Sequence, residues 1–312
     1  MRLSVELAPH RTDRLTLTNP VMAASGTFGY GTEYGSLIDR DRLGAIVSKA
    51  VGPEPRRGNP SPRLFETPAG MLNSIGLQGI GVARVAAEKA PIWANWRAPV
   101  LVNVVGESVG DFCAVVEQLD GIAGVAGFEL NVSCPNVEGG TLFGHDARMA
   151  AELTGAVRAL TELPVLVKLS PNAPDPLAVA VAVVDAGADS IVVANTWLGM
   201  AIDPKKRRPV FANTFAGLSG PAIRPLAVRL TYQVAQVVDV PIVGCGGIAT
   251  AADALEFILA GATAVQVGTM TFTEPGTMAA VVDGLRAFCE REGIGDLAEI
   301  VGAANPLLEG AS

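Results

Sequence analysis

Histidine is nearly missing from this chain: 312 residues contain two, His10 and His145, so histidine-centred catalysis has few candidates. Cysteine is almost as scarce. The four cysteines (Cys113, Cys134, Cys245 and Cys289) lie far apart without CxxC spacing, which argues against a zinc site or an iron–sulfur cluster within the chain. Free thiols fit a reducing compartment, and the expected location is the cytoplasm. A basic excess is lacking as well. The formal net charge of −8 gives no electrostatic footprint for nucleic acid. No stretch approaches the ~18 uninterrupted apolar residues of a membrane span. The opening MRLSVELAPHRTDRLTL carries charge throughout and has no apolar core, so neither a secretory signal nor a membrane anchor is expected.

Apolar residues, by contrast, make up 49% of the chain. A chain of roughly 300 residues hides about 75% of its unfolded surface, enough for a large core. The 35 glycines and 21 prolines are scattered as punctuation between apolar segments, which does not read as disorder. After LSVELAPHRTDRLTLTNP, whose alternation around a turn suits a short hairpin outside the main fold, one pattern recurs. A run of β-branched and small apolar residues is followed by a longer segment of helical spacing, then by another run. The strand candidates are PVMAASG (20–26), GAIVSKAV (44–51), PVLVNVVG (99–106), GFELNVSCP (127–135), PVLVKLSP (164–171), SIVVANT (190–196), PIVGCGG (241–247) and AVQVGTM (264–270). Near-continuous apolar strands alternating with helices indicate a buried parallel sheet. Eight such units predict a closed (β/α)8 TIM barrel in one domain spanning 1–312, with an open doubly wound sheet as the alternative. Two excursions, at 52–80 and 197–220, are long enough to serve as lids or binding segments.

Barrel active sites are built where strands end. These strands finish, in order, with Ser25, Lys49, Asn103, Asn131 with Cys134, Lys168, Asn195 with Thr196, Gly246 with Gly247, and Gly268 with Thr269. Glycine pairs let backbone N–H groups approach a phosphate, and phosphate sites after strands seven and eight recur in this architecture. GCGGIA also matches the loose dinucleotide pattern GxGxxA. That fingerprint normally sits at the first strand of its domain, not the seventh, so the phosphate of a mononucleotide is the preferred reading. Two strand-end lysines are costly to bury without an anionic partner, and three asparagines suit a ring carrying alternating N–H and C=O groups. Together they predict a flat, negatively charged heterocyclic ligand. Glu129 shares strand parity with Asn131 and is expected to face inward and pair with a buried lysine. Cys134, at a strand tip followed by the loop PNVEGG, reads either as a general base or as a small buried hydrophobe.

The segments NPVMAASGTFGYG, GNPSPRLFETPAGMLNSIGLQG, ELNVSCPNVEGG, NTWLGMAIDPKKRRP, GLSGPAIRP and GCGGIATAADALEFILAGATAVQVGT resemble the dihydroorotate dehydrogenases. The likeness runs from about Asn19 to Thr269 and is greatest to the class 1B catalytic subunits. It implies one FMN per chain, contacted by Ser25, Lys49, Ala50, Asn103, Asn131, Lys168, Ala194 and Gly220, with Gly246, Gly247, Gly268 and Thr269 around its phosphate. It further implies that Lys49, Asn73, Ser74, Ile75, Gly76, Leu77, Asn131, Asn195 and Thr196 hold dihydroorotate, and that Cys134 is the base. Two positions depart from the family pattern: Gly79 stands where asparagine usually follows GLQ, and Met270 where smaller residues are common.

The reaction so implied is the oxidation of dihydroorotate to orotate in pyrimidine biosynthesis. Electrons would pass to NAD+ through a partner subunit carrying FAD and a [2Fe–2S] cluster, with the catalytic subunits paired as a homodimer inside a heterotetramer. The alternatives are another pyrimidine-handling flavin oxidoreductase, class 1A-like use of fumarate, and a non-catalytic ligand-binding barrel.

Overall fold

The computed structural model describes residues 1–308 apart from 13, 36 and 134–142. Its strands, in chain order, are β1 (Val5–Glu6), β2 (Thr16–Leu17), β3 (Val21–Ala23), β4 (Ala45–Val47), β5 (Leu64–Thr67), β6 (Gly70–Asn73), β7 (Val100–Val104), β8 (Gly127–Asn131), β9 (Val165–Lys168), β10 (Ser190–Val193), β11 (Trp197–Gly199), β12 (Ile202–Asp203), β13 (Arg208–Pro209), β14 (Ala216–Ser219), β15 (Ile242–Cys245) and β16 (Ala264–Val267). Eight of them (β3, β4, β7, β8, β9, β10, β15 and β16) close into a barrel in which every neighbouring pair is parallel. Each of the eight strand candidates contributes one barrel strand, and closure excludes the open sheet.

Parity along each strand divides the side chains into two sets. Outward residues such as Val102, Val104, Phe128, Leu130, Val167 and Val193 pack beneath the surrounding helices. Each fully buried aliphatic side chain of this kind contributes about 1.5–3 kcal/mol. Several helices begin at side-chain caps: Ser108 accepts from the Asp111 N–H, Asp146 from that of Met149, and Thr250 and Asp253 form a reciprocal capping box. Inward residues form layers. Met22, Leu101, Leu166, Val192, Val243 and Ala264 belong to one apolar cluster, and the same cluster includes Leu7, Ala8, Leu15 and Leu17.

The β1–β2 hairpin therefore forms as its alternation predicts, but not outside the main fold. Its apolar face plugs the barrel on the side where the strands begin, and the Ser190 hydroxyl donates to the Leu7 carbonyl there. Burying those four apolar side chains against the barrel floor is what holds a two-residue-per-strand hairpin in place.

The two long excursions are not independent loops. They pair into a single four-stranded antiparallel sheet, β11–β14–β6–β5, with Gly217 opposite Asn73 and Ser219 opposite Met71. Leu72, Phe211 and Ala216 give it a small core of its own.

Candidate active site

Continuing the inward parity past the apolar layer brings a polar layer into the barrel: Asn103 after Leu101, Glu129 after Gly127, Lys168 after Leu166, Cys245 after Val243 and Gln266 after Ala264. Asn103 lies opposite Glu129, and Cys245 opposite Gln266, in the strand register. Lys168 is 5% exposed and Glu129 fully buried, their charged groups 3.7 Å apart. The carboxylate also accepts from Asn103 Nδ2 at 2.7 Å and Gln266 Nε2 at 2.5 Å, while Lys168 Nζ donates to Gln266 Oε1 at 3.0 Å. This is the inward Glu–Lys pairing expected from parity. Burial opposes charge on Lys168, but the Cys245 sulfur and the Glu129 carboxylate beside it push its pKa up overall. Burial pushes the Cys245 thiol up as well, so it stays protonated near neutrality.

Above this layer opens a cavity of about 950 Å³, at the upper end of the ~300–1,000 Å³ of ligand pockets. The barrel-strand ends that line it are Ser25, Lys49, Ala50, Asn103, Asn131, Lys168, Ala194, Asn195, Thr196, Gly246, Gly247, Gly268 and Thr269. The antiparallel sheet and its loops contribute Asn73, Ser74, Ile75, Gly76, Leu77 and Gly220. Every site residue expected from sequence within the described segments thus faces one space. Cys134 lies outside the described residues; its neighbour Ser133 lines the cavity.

The cavity has two chemically distinct ends. At one, the backbone N–H groups of Gly246, Gly247, Gly268 and Thr269 have no acceptor among the described residues. Gly247 has φ +75, and a Cβ there would lie 2.8 Å from the Arg224 nitrogen and the Gly220 carbonyl, so the turn requires glycine. Such a cluster of free donors suits a phosphate. At the other end, Lys49 and the segment 74–77 line the cavity, the turn of that segment running through Gly76 at φ +75 and Leu77 at φ +55. A non-glycine residue in the left-handed region is strained, and strain of this kind gathers at ligand clamps. The N–H groups of Gly76 and Leu77 also lack acceptors among the described residues. Burial lowers the Lys49 pKa, Glu33 offsets this in part, and Arg63 adds to it.

Between the ends stand the amides. Asn195 Nδ2 donates to Asn131 Oδ1 at 3.2 Å and to Ser133 Oγ at 2.5 Å, and Ser133 Oγ donates to Asn131 Oδ1 at 2.8 Å. With its oxygen so occupied, Asn131 has its NH2 left to offer a ligand. Asn103 is the converse: its Nδ2 is committed to Glu129, and its buried Oδ1 has no partner. A buried acceptor left without a partner, on a residue that lines the cavity, suits a ligand N–H. One acceptor for a ring N–H, a buried ammonium and a cradle of free amides fit a flat heterocycle bearing a phosphate.

A family model for dihydroorotate dehydrogenase matches residues 10–289. The chain belongs to the dihydroorotate dehydrogenase family. Among its relatives within that family, "Dihydroorotate dehydrogenase B (NAD(+)), catalytic subunit" of Geotalea uraniireducens is 50% identical over 302 residues, covering 96% of this chain and 97% of the relative. Proteins of the same name from Desulforamulus reducens and Geobacter sulfurreducens are 51% and 47% identical over 293 and 302 residues. A solved dihydroorotate dehydrogenase from Eimeria tenella, in complex with ferulenol, superimposes with a TM-score of 0.78 at 22% identity. The match covers 96% of this chain and 88% of that one, and supports the barrel fold.

Several residues of this family member's cavity escaped sequence reasoning. Asn59 ties Ser74 in place through its carbonyl (3.2 Å) and hydroxyl (3.1 Å), and Asn172 bridges Thr196 O (3.0 Å) and Leu198 N (2.9 Å). Ser219 accepts from Thr269 Oγ1 at 2.8 Å, linking the antiparallel sheet to the eighth barrel strand. His145 lines the cavity too. Asn59, Asn172 and Ser219 lie in loop stretches punctuated by proline or glycine that carry no periodic signal. Gln266 escaped too, although it carries a signal, as the one polar residue inside AVQV and in register with inward parity. At the departure from family pattern, Gly79 exchanges backbone hydrogen bonds with Arg56 at 2.9 and 3.1 Å, and a Cβ there would sit 3.0 Å from the Ala50 carbonyl. Glycine lets this loop lie closer to the fourth strand's end than a larger residue would.

Proposed function

We propose that this chain oxidises dihydroorotate to orotate on a bound FMN, within pyrimidine biosynthesis. The observation that carries the reading is the division of one cavity between a cradle of free backbone N–H groups and a lysine-centred clamp, with the Lys168–Glu129–Asn103 layer beneath both. Names of relatives about half identical over nearly their whole length agree with it.

In this reading Gly246, Gly247, Gly268 and Thr269 bind the cofactor phosphate, with Ser25, Ala50, Ala194 and Gly220 around the rest of the molecule. Asn103 Oδ1 accepts from a ring N–H, and Lys168 places a fixed positive charge where negative charge develops. When bound, FMN supplies the two-electron acceptor for the hydride leaving C6 of the substrate. Lys49 and the N–H groups of Gly76 and Leu77 hold the substrate carboxylate. Asn73, Asn131, Asn195 and Thr196 grip the pyrimidine edges, a set of remote contacts that aligns the reacting carbon. Cys134 takes the C5 proton as general base. The sheet β11–β14–β6–β5 shields the reacting atoms from water. Barrel, hairpin and sheet act as one domain.

NAD+ is the final acceptor, reached through a separate subunit carrying FAD and a [2Fe–2S] cluster, with two catalytic chains pairing in a heterotetramer. Among the described residues no cluster of His, Cys, Asp or Glu is placed to hold a metal. No helix among them is long and apolar enough to cross a membrane.

Mass spectrometry of the cofactor released from purified protein tests the assignment: one FMN per chain supports it, and FAD, or no flavin after reconstitution, contradicts it. For the acceptor, the purified single chain should reduce NAD+ poorly with dihydroorotate. Efficient turnover with NAD+ alone contradicts the partner subunit, and turnover with fumarate points to the class 1A mode.

A further inference from the structure

Glu129 is not assigned a task by the reaction, yet it is fully buried, its oxygens accept from Asn103 Nδ2 at 2.7 Å and Gln266 Nε2 at 2.5 Å, and it forms an ion pair with Lys168 Nζ at 3.7 Å. Gln266 closes the circuit by accepting from Lys168 at 3.0 Å. The titratable groups facing Lys168 are Glu129 from β8 and Cys245 from β15, and β7 and β16 present the neutral amides Asn103 and Gln266. With the buried thiol protonated, Glu129 is the anion that faces the lysine among the described residues. An amine so enclosed and lacking a counter-ion loses its proton more readily, because burial disfavours its charged form.

We infer that Glu129 is a positioning residue for the redox step: it fixes Lys168 as an ammonium in both oxidation states of the bound cofactor. The lysine then provides a constant charge and takes no part in proton uptake. The inference rests on the reading of the cavity as an FMN site. It has a definite consequence when the carboxylate is neutralised. Lys168 then gives up its proton beside the oxidised ring and recovers one beside the reduced, negatively charged ring. The two electrons go to the ring as before, and the additional proton comes from solvent and ends on Nζ.

The test is the midpoint potential of bound FMN, set against reference dyes between pH 7.5 and 9. The proteins compared are the parent, Glu129→Gln, and Glu129→Gln combined with Gln266→Glu. The parent should take up one proton per two electrons throughout. Glu129→Gln should take up one more, an additional tenfold change in the two-electron equilibrium per pH unit, about 30 mV. The double variant moves the carboxylate to the position that already accepts from Lys168, and should restore the parental slope. A packing defect alone would shift the potential without altering the proton count. An unchanged slope in Glu129→Gln with FMN bound overturns the inference. So does an additional proton already taken up by the parent, a measurement that requires no variant to fold. A parent that takes up no FMN overturns the underlying reading instead, and is recognised by the lack of flavin absorbance.

Discussion

Replacing Lys168 with methionine keeps the unbranched stem but removes the ammonium, leaving Glu129 buried with two amide donors but no cation. Removing one partner of a buried pair costs about 3–5 kcal/mol. The two remaining donors, at 2.7 and 2.5 Å, place this case at the lower end, about 3 kcal/mol. Unfolding entropy of about 2.1 cal/mol/K per residue over 312 residues amounts to about 0.65 kcal/mol/K, so the expected fall in Tm is about 5 °C. Thermal unfolding followed by far-UV circular dichroism measures it. A fall of under 1 °C refutes the view that Lys168 neutralises Glu129.

Lys49→Met should weaken orotate binding roughly 10- to 150-fold, the loss of a charge-assisted hydrogen bond of about 1.5–3 kcal/mol, which isothermal titration of the FMN-loaded protein reads. Because burial lowers the Lys49 pKa, orotate affinity in the parent should decline with rising pH before a solvent-exposed lysine would titrate, and the Met variant should lose that dependence. Gly247→Ala forces a side chain into a left-handed turn against the Arg224 backbone, and FMN retention on dialysis should drop at least tenfold. Leu72→Ala removes a 2%-exposed side chain from the small core of the antiparallel sheet, at a cost of about 2–5 kcal/mol. Since that core lies outside the barrel, hydrogen exchange should quicken in β5, β6, β11 and β14, with the barrel strands protected as before.

The barrel was legible because each of its strands is a short apolar run that ends in chemistry, and because strand parity is unforgiving. Leu101 inward means Asn103 inward, and Gly127 inward means Glu129 inward. That Glu129 would face inward and meet a buried lysine followed from that count, while the barrel shows the lysine to be Lys168. The antiparallel sheet was not legible. Its central pairing joins Asn73 to Gly217 across more than 140 residues, and its strands are three or four residues long with exposed apolar side chains such as Leu64, Phe65 and Leu198, so neither alternation nor a turn signal marks them. The hairpin was recognised but misplaced, since its alternation shows that one face is apolar without showing what covers that face. The surroundings of Cys245 could not be read from the sequence for a similar reason. Strand parity aims it inward, but its proximity to Lys168 depends on which strands become neighbours on closure.

The central claim is that dihydroorotate reduces FMN here with Cys134 as the base, and one measurement addresses it directly: anaerobic stopped-flow of the flavin absorbance after mixing with dihydroorotate, across pH, for the parent, Cys134→Ala and Cys134→Ser. The parent should bleach, at a rate that rises with pH through the ionisation of the thiol, whose unperturbed pKa is about 8.5. Cys134→Ala should still hold FMN and orotate but bleach at least ~10²-fold more slowly. Cys134→Ser should be slow near neutrality and recover in part at high pH, because a hydroxyl yields its proton less readily than a thiol. A parent whose flavin does not bleach contradicts the proposed reaction, and near-parental bleaching by Cys134→Ala with an unchanged pH profile contradicts the assignment of the base.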